Sequence, residues 1–126
     1  MTRAEAWYQQ AKRDLKSGRD LLATGNFAQA CFMAQQVAEK SLKALAYHRG
    51  YDMVKSHSLV KILADLKLNG ELATLGKVLD IYYLTSRYPD ALPDHSLPSD
   101  SFDSSQAEQA LDMASRFLDA ANKELT

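Results

Sequence analysis

The chain has 126 residues, a common length for one domain, with a formal net charge of -1 and a single cysteine, Cys31. The near-neutral balance excludes a broad nucleic-acid-coating surface but leaves room for a local anion site. One cysteine excludes an intrachain disulfide and fits a reducing, cytoplasmic compartment. No run of about 18 apolar residues spans a membrane, and the opening Met-Thr-Arg-Ala-Glu-Ala-Trp lacks the apolar stretch of a secretory signal.

The first predicted helix runs from about Arg3 to Thr24, with Trp7, Ala11, Leu15 and Leu22 at helical spacing along one stripe. Gly25 ends it in a left-handed turn, and Asn26 is the expected cap of the next helix. That second helix spans about Phe27 to His48. Phe27, Ala30, Cys31, Ala34, Val37, Ala38, Ser41, Leu42 and Leu45 form its inward stripe, and the small members permit close helix approach. Gln36, Glu39, Lys40 and Lys43 are assigned to a solvated face, with Glu39 and Lys43 as an i,i+4 pair. A short helix is expected over His57 to Lys67, capped by Ser56 or Ser58. Glu71 to Tyr88 then forms a fourth helix that is apolar on more than one face. Val78, Ile81, Tyr82 and Leu84 exceed what one core can cover, which points to a homodimer.

All three prolines, Pro89, Pro93 and Pro98, fall in one long polar loop that has no helical period. A last helix begins near Ser105, with Ser105 and Glu108 at capping-box spacing, and carries an alanine-rich stripe to the end. No segment alternates with period two over a useful length. The expected fold is all-α: one domain over residues 1–126, an antiparallel up-and-down bundle of four long helices plus one short helix.

Most site chemistries are absent from the sequence. There is no phosphate-binding glycine loop, no Glu-x-x-His pair, no nucleophile elbow, and no zinc spacing among His48, His57, His95 and Cys31. No metal or cofactor is therefore expected. The segment from Ser86 to His95 stands out. Arg87 reads either as a cation at a helix C-terminus or, together with His95, as a pair able to hold a phosphodiester and move a proton. Tyr82, Tyr83 and Tyr88 beside it can stack on bases or serve as core and interface aromatics.

Several stretches carry a family resemblance. They are Trp7 and Asp14-Leu15, Asn26-Phe27-Ala28-Gln29-Ala30, the run Ala34-Gln35-Gln36-Val37-Ala38-Glu39-Lys40-Ser41-Leu42-Lys43, Ser56-His57-Ser58-Leu59, and Tyr83-Leu84-Thr85-Ser86-Arg87-Tyr88-Pro89-Asp90. With the alanine-rich last helix, they make the chain similar to the HEPN (higher eukaryotes and prokaryotes nucleotide-binding) domain family over nearly its whole length. The resemblance implies a helical bundle, often dimeric, and frequently paired with a minimal nucleotidyltransferase in a toxin–antitoxin-like module. It further implies either nucleotide, RNA or partner binding at a groove near Arg87, or a metal-independent RNase. The family's RNase motif is an arginine, four to six residues, then a histidine. Arg87 matches the arginine, but seven residues separate it from His95 and two prolines interrupt them. By the same resemblance Arg87 and His95 are candidate catalytic residues. Arg87, Tyr88, Asp90, His57, Lys43 and Glu39 are candidate nucleotide- or RNA-binding residues. Capping or packing at His57, and a solvated helix face at Glu39 and Lys43, are the competing readings.

Overall fold

A computed structural model describes all residues from Met1 to Thr126. Five α-helices follow one another: α1 (Arg3–Ala23), α2 (Phe27–His48), α3 (Leu59–Asp65), α4 (Glu71–Thr85) and α5 (Ser104–Leu125). Three 3-10 turns, at Pro89–Ala91, Pro93–His95 and Pro98–Asp100, occupy the stretch expected to be irregular loop. The all-α bundle of four long helices and one short one is the observed architecture, and no helix is long and apolar enough to cross a membrane.

Local chemistry sets the helix ends. Thr2 and Glu5 form a capping box at the start of α1. At its end, Gly25 adopts φ +80° while the Asn26 N–H donates to the Leu21 carbonyl at 2.8 Å, a Schellman closure. The Asn26 side chain accepts no capping bond from α2; its amide nitrogen donates to Thr24 Oγ1. Ser58, not Ser56, caps α3 by accepting from the Lys61 N–H. Helix α3 is also shorter than expected, and His57 lies before its cap. Asp103 and Gln106, not Ser105 and Glu108, form the capping box of α5, so that helix starts one residue early. Helix α4 stops at Thr85, not Tyr88. Tyr88 precedes Pro89 and is extended, with φ -120° and ψ 123°, as the proline ring requires.

Helix α2 is the central element, packed by α1 and α5 on one side and by α3 and α4 on the other. Its small residues Ala30, Ala34, Ala38 and Ala46 are fully buried, as are Leu42 on α2 and Ala107, Ala114 and Phe117 on α5. Close approach is tightest at Gly18 of α1, where an added Cβ would sit 2.7 Å from Leu111 Cδ2. Burial holds the Cys31 thiol neutral, pushing its pKa up to about 12, and also raises that of the Tyr82 hydroxyl.

Helix α4 contrasts with α2. Only Gly76 and Leu79 are buried on it. Ile81 and Leu84 are 61% and 51% exposed, so half of the expected apolar excess is open to solvent. Val78 is half-buried. Tyr82 is not surplus: it packs against the core and meets Phe102 edge-on, with ring centroids 5.6 Å apart. Asp80, also on α4, caps α3 from outside. Its carboxylate accepts from the Leu59 N–H at 2.9 Å, the Val60 N–H at 3.1 Å and the Ser58 hydroxyl at 3.1 Å. A seven-residue helix is marginal alone, and these bonds supply the N-terminal partners it lacks.

Candidate functional site

Phe32, Gln36, Glu39 and Lys43 follow one another at helical spacing down a single stripe of α2. The assignment of Glu39 and Lys43 to a solvated face is corrected here. Their side chains are only 4% and 8% exposed, and Lys43 Nζ donates to Glu39 Oε2 at 3.0 Å. Trp7 of α1 lies over Lys43, whose Nζ is 5.2 Å from its ring centroid. Two opposite charges share a pocket that water barely reaches, so each depends on the other for stabilisation. Beside Glu39 in the chain, Lys40 pairs with the buried Asp14 of α1.

Glu39 has a third partner. His57 Nδ1 lies 3.2 Å and 3.3 Å from its two carboxylate oxygens. The buried Gln35 amide donates to the His57 carbonyl at 2.9 Å and fixes the backbone there. The imidazole also lies parallel to the Tyr83 ring, with centroids 5.5 Å apart and planes at 16°. His57 is therefore held at its backbone, one ring nitrogen and one ring face. The ring remains 57% exposed.

Arg87 stands on the other side of Tyr83 in this chain of contacts. Its guanidinium carbon is 4.4 Å from the Phe32 ring centroid, 4.5 Å from Tyr83 and 4.8 Å from Tyr88. Its Nε donates to the Tyr83 carbonyl at 2.7 Å, so it does satisfy an end carbonyl of α4 although it lies just past the helix. No carboxylate pairs with it, and both terminal nitrogens are left without a protein acceptor.

Asp90 and His95 are arranged differently. His95 Nε2 is 3.7 Å from Asp90 Oδ1, and these side chains are 81% and 94% exposed. Both Asp94 and His95 have positive φ, at 56° and 52°. No hydrogen bond or ion pair joins either Asp90 or His95 to Arg87. Of the expected site residues, Glu39, Lys43, His57, Arg87 and Tyr88 thus form one connected cluster through Tyr83, and Asp90 with His95 forms a separate exposed pair. Phe32, Gln35 and Asp80 were not anticipated. The legible signal for Phe32 was its place on the Gln36–Glu39–Lys43 stripe. Gln35 belonged to the α2 run that carries the resemblance, though its partner 22 residues away was not legible, and Asp80, with its partner 21 residues away, gave no signal.

An open groove of about 550 Å³ runs beside the cluster, lined by His57, Asp80, Tyr83, Leu84 and Ala91 among others. No three His, Cys, Asp or Glu side chains converge as metal ligands.

Residues 4–125 match the family model described as HEPN domain. Among solved structures, the chain is similar to TT1696 from Thermus thermophilus, with 38% identity, 98% of each chain covered and a TM-score of 0.90. It is also similar to ST0689, described as an archaeal HEPN homologue, with 31% identity, full coverage of both chains and a TM-score of 0.82. A HEPN domain protein of Thermotoga maritima, tm0613, is 27% identical over 95% of this chain and 97% of its own, with a TM-score of 0.73. Among curated proteins, none matches significantly.

Proposed function

Because this chain belongs to the HEPN domain family, we propose that it binds a nucleotide or an RNA strand by holding a phosphate on Arg87. The state of that arginine carries the reading. Three aromatic rings and one carbonyl fix the guanidinium plane, yet no acidic side chain neutralises it. A fixed, unpaired fork is suited to two parallel bonds to a phosphate, and the surrounding rings offer stacking surface to bases. Titrating a fluorescent RNA oligonucleotide should give a binding isotherm that weakens at least about tenfold in Arg87→Ala. Lysine is a poor substitute, because it can neither stack flat nor donate a fork, so Arg87→Lys should recover little. Unchanged affinity in Arg87→Ala overturns the reading.

The exposed Ile81 and Leu84 support a homodimer built on α4, for which a two-fold interface is the default. Light scattering at micromolar concentration should return twice the chain mass, and a monomer rules the dimer out. A cytoplasmic protein working beside a minimal nucleotidyltransferase, in a toxin–antitoxin-like module, is the setting that fits this reading.

A second activity, RNA cleavage with Arg87 on the phosphate and His95 as proton carrier, draws support from the solvent exposure of the His95 ring beside Asp90. It predicts cleavage that persists in EDTA and is lost in His95→Ala. Retention of cleavage in that variant removes His95 from the reaction.

A further inference from the structure

Arg87 has a counterpart at the opposite end of α2. The Arg3 guanidinium carbon lies 3.7 Å from the Tyr47 ring centroid, and its Nη1 donates to the Asp52 carbonyl at 2.9 Å. Like Arg87, it lies over a ring of α2, gives one nitrogen to a backbone carbonyl and is paired with no carboxylate. Arg49 and Arg116, by contrast, donate to glutamates. Phe32 under Arg87 and Tyr47 under Arg3 belong to one stripe of α2, about four turns or 22 Å apart. An unbroken run of contacts joins the two ends. Tyr83 stacks on His57 at 5.5 Å, and His57 meets Glu39 at 3.2 Å. Glu39 holds Lys43 at 3.0 Å, Lys43 Nζ faces the Trp7 ring at 5.2 Å, and that ring is 6.0 Å from Tyr47.

The lysines between the ends are neutralised, because Glu39 holds Lys43 and Asp14 holds Lys40. What the middle offers a ligand is ring surface. Beside Trp7 there is also an open hollow of about 330 Å³, lined by Ala6, Gln10 and Lys40 as well. A mononucleotide reaches only one of two cations this far apart. A single strand reaches both, since its phosphates recur along its length and its bases can turn onto rings between them. An acidic protein segment would meet the arginines but leave the rings and the hollow unused. We propose that the chain binds single-stranded RNA along α2, with one phosphate on Arg87, a later one on Arg3, and a base seated against Trp7 in the hollow between α1 and α2. Arg3 and Trp7 are then binding residues at the far end of the surface. The inference rests on phosphate binding at Arg87 and extends it from one nucleotide to a strand.

The test uses the intact protein and uridylate probes, from the mononucleotide to strands of two, eight and twelve units. Affinity should rise at least about tenfold between the two-unit and eight-unit strands, the gain of one charged contact. Arg3→Ala should weaken the eight-unit strand about tenfold and leave mononucleotide affinity unchanged, whereas Arg87→Ala should weaken both. Each variant should also lower the slope of log affinity against log salt by about 0.7, the share of one phosphate on a single strand. Trp7 is the only tryptophan, so its emission reports the far end of the surface directly. The eight-unit strand should quench it and the mononucleotide should not. Circular dichroism checks that Arg3→Ala is folded; if it is not, the length dependence and the Trp7 emission of the natural chain still decide. Affinity independent of length, Trp7 emission unmoved by the eight-unit strand, or a folded Arg3→Ala that binds that strand as tightly as the natural chain each overturns the strand path while phosphate binding at Arg87 stands. Poly-glutamate that binds more tightly than the strand makes the surface a protein contact and also overturns it. Failure of every uridylate to bind overturns both readings.

Discussion

His57 and His95 each lie beside a carboxylate, and they share almost nothing else. His57 meets a glutamate whose side chain is 4% exposed, at 3.2 Å, with a ring on its face and a buried amide on its carbonyl. His95 meets Asp90 at 3.7 Å on a turn where both side chains stand in water. A contact inside a low-dielectric pocket fixes a ring and its tautomer, whereas an exposed contact is screened and gives the side chain little reason to stay. The difference shows that a histidine near a carboxylate is not informative by itself. What surrounds the carboxylate decides whether the imidazole is a positioned group or a solvated one.

The largest expected effect that could break this contrast is at Glu39. Glu39→Ala leaves the Lys43 ammonium buried and unpaired, and should destabilise the fold by about 3–5 kcal/mol in a urea melt. Leu42→Ala provides a scale from the same helix, at about 2–5 kcal/mol for lost burial plus a cavity. If Glu39→Ala costs under about 0.5 kcal/mol, as surface changes do, then the pair is solvated in solution and His57 is not held.

A smaller effect is expected at Asp80, which caps α3 and thereby orients the segment that carries His57. Asp80→Ala should cost about 1–2 kcal/mol, in the range of a lost helix cap. It should also broaden or shift the His57 ring resonances. A stability loss with His57 resonances unmoved would show that Gln35 and Glu39 hold the ring without help from α3.

Two measurements on groups elsewhere sharpen the division between buried and open sites. Cys31, on α2, should resist a thiol reagent at pH 8 until the protein unfolds, because burial covers the thiol and pushes its pKa up to about 12. Rapid labelling of folded protein would mean that α2 is not the closed centre described. At the far end of the bundle, Arg49 donates to both Glu124 oxygens at 2.7 Å and lowers the pKa of that carboxyl. A lowered native pKa means that the pair stabilises the fold above the ordinary glutamate value of 4.5, and that this contribution fades as pH falls through the lower native value. Glu124→Gln should therefore flatten the acid side of the stability profile slightly and leave stability below that range unchanged.

The smallest effect belongs to the exposed histidine. Asp90→Ala should alter stability by no more than about 0.5 kcal/mol, because the pair it breaks is solvated. A larger loss would show that the loop between α4 and α5 is held by the pair, and the contrast between the two histidines would narrow.

Most of the fold was legible because helices are local. Apolar residues at three- and four-residue spacing mark α1, α2 and α5, and the left-handed glycine Gly25 marks the break between the first two. The errors at the ends were also local in kind: Asp103 outcompeted Ser105 as a cap, and Pro89 stopped α4 before Tyr88. Arg87 stood out as a candidate because the Tyr83–Asp90 stretch resembles the family motif and few other site chemistries are present in the sequence. Glu39 and Lys43 were misread for a different reason. Their spacing is that of an ordinary exposed ion pair, and nothing within α2 reports that Trp7 lies over one of them and His57 against the other.

The amino-acid order alone therefore determined the class of fold and the five helices, since each depends on neighbours within about one helical turn. It could not determine that α2 has two buried faces, that Asp80 caps a helix some twenty residues earlier, or that His57 and Arg87 meet at one tyrosine. Those facts depend on how the helices dock, and docking follows from the summed burial of side chains from all five helices. The same imidazole can be solvent-facing or positioned with no change in its own sequence surroundings, because the dielectric around its carboxylate partner is set by residues from elsewhere in the chain.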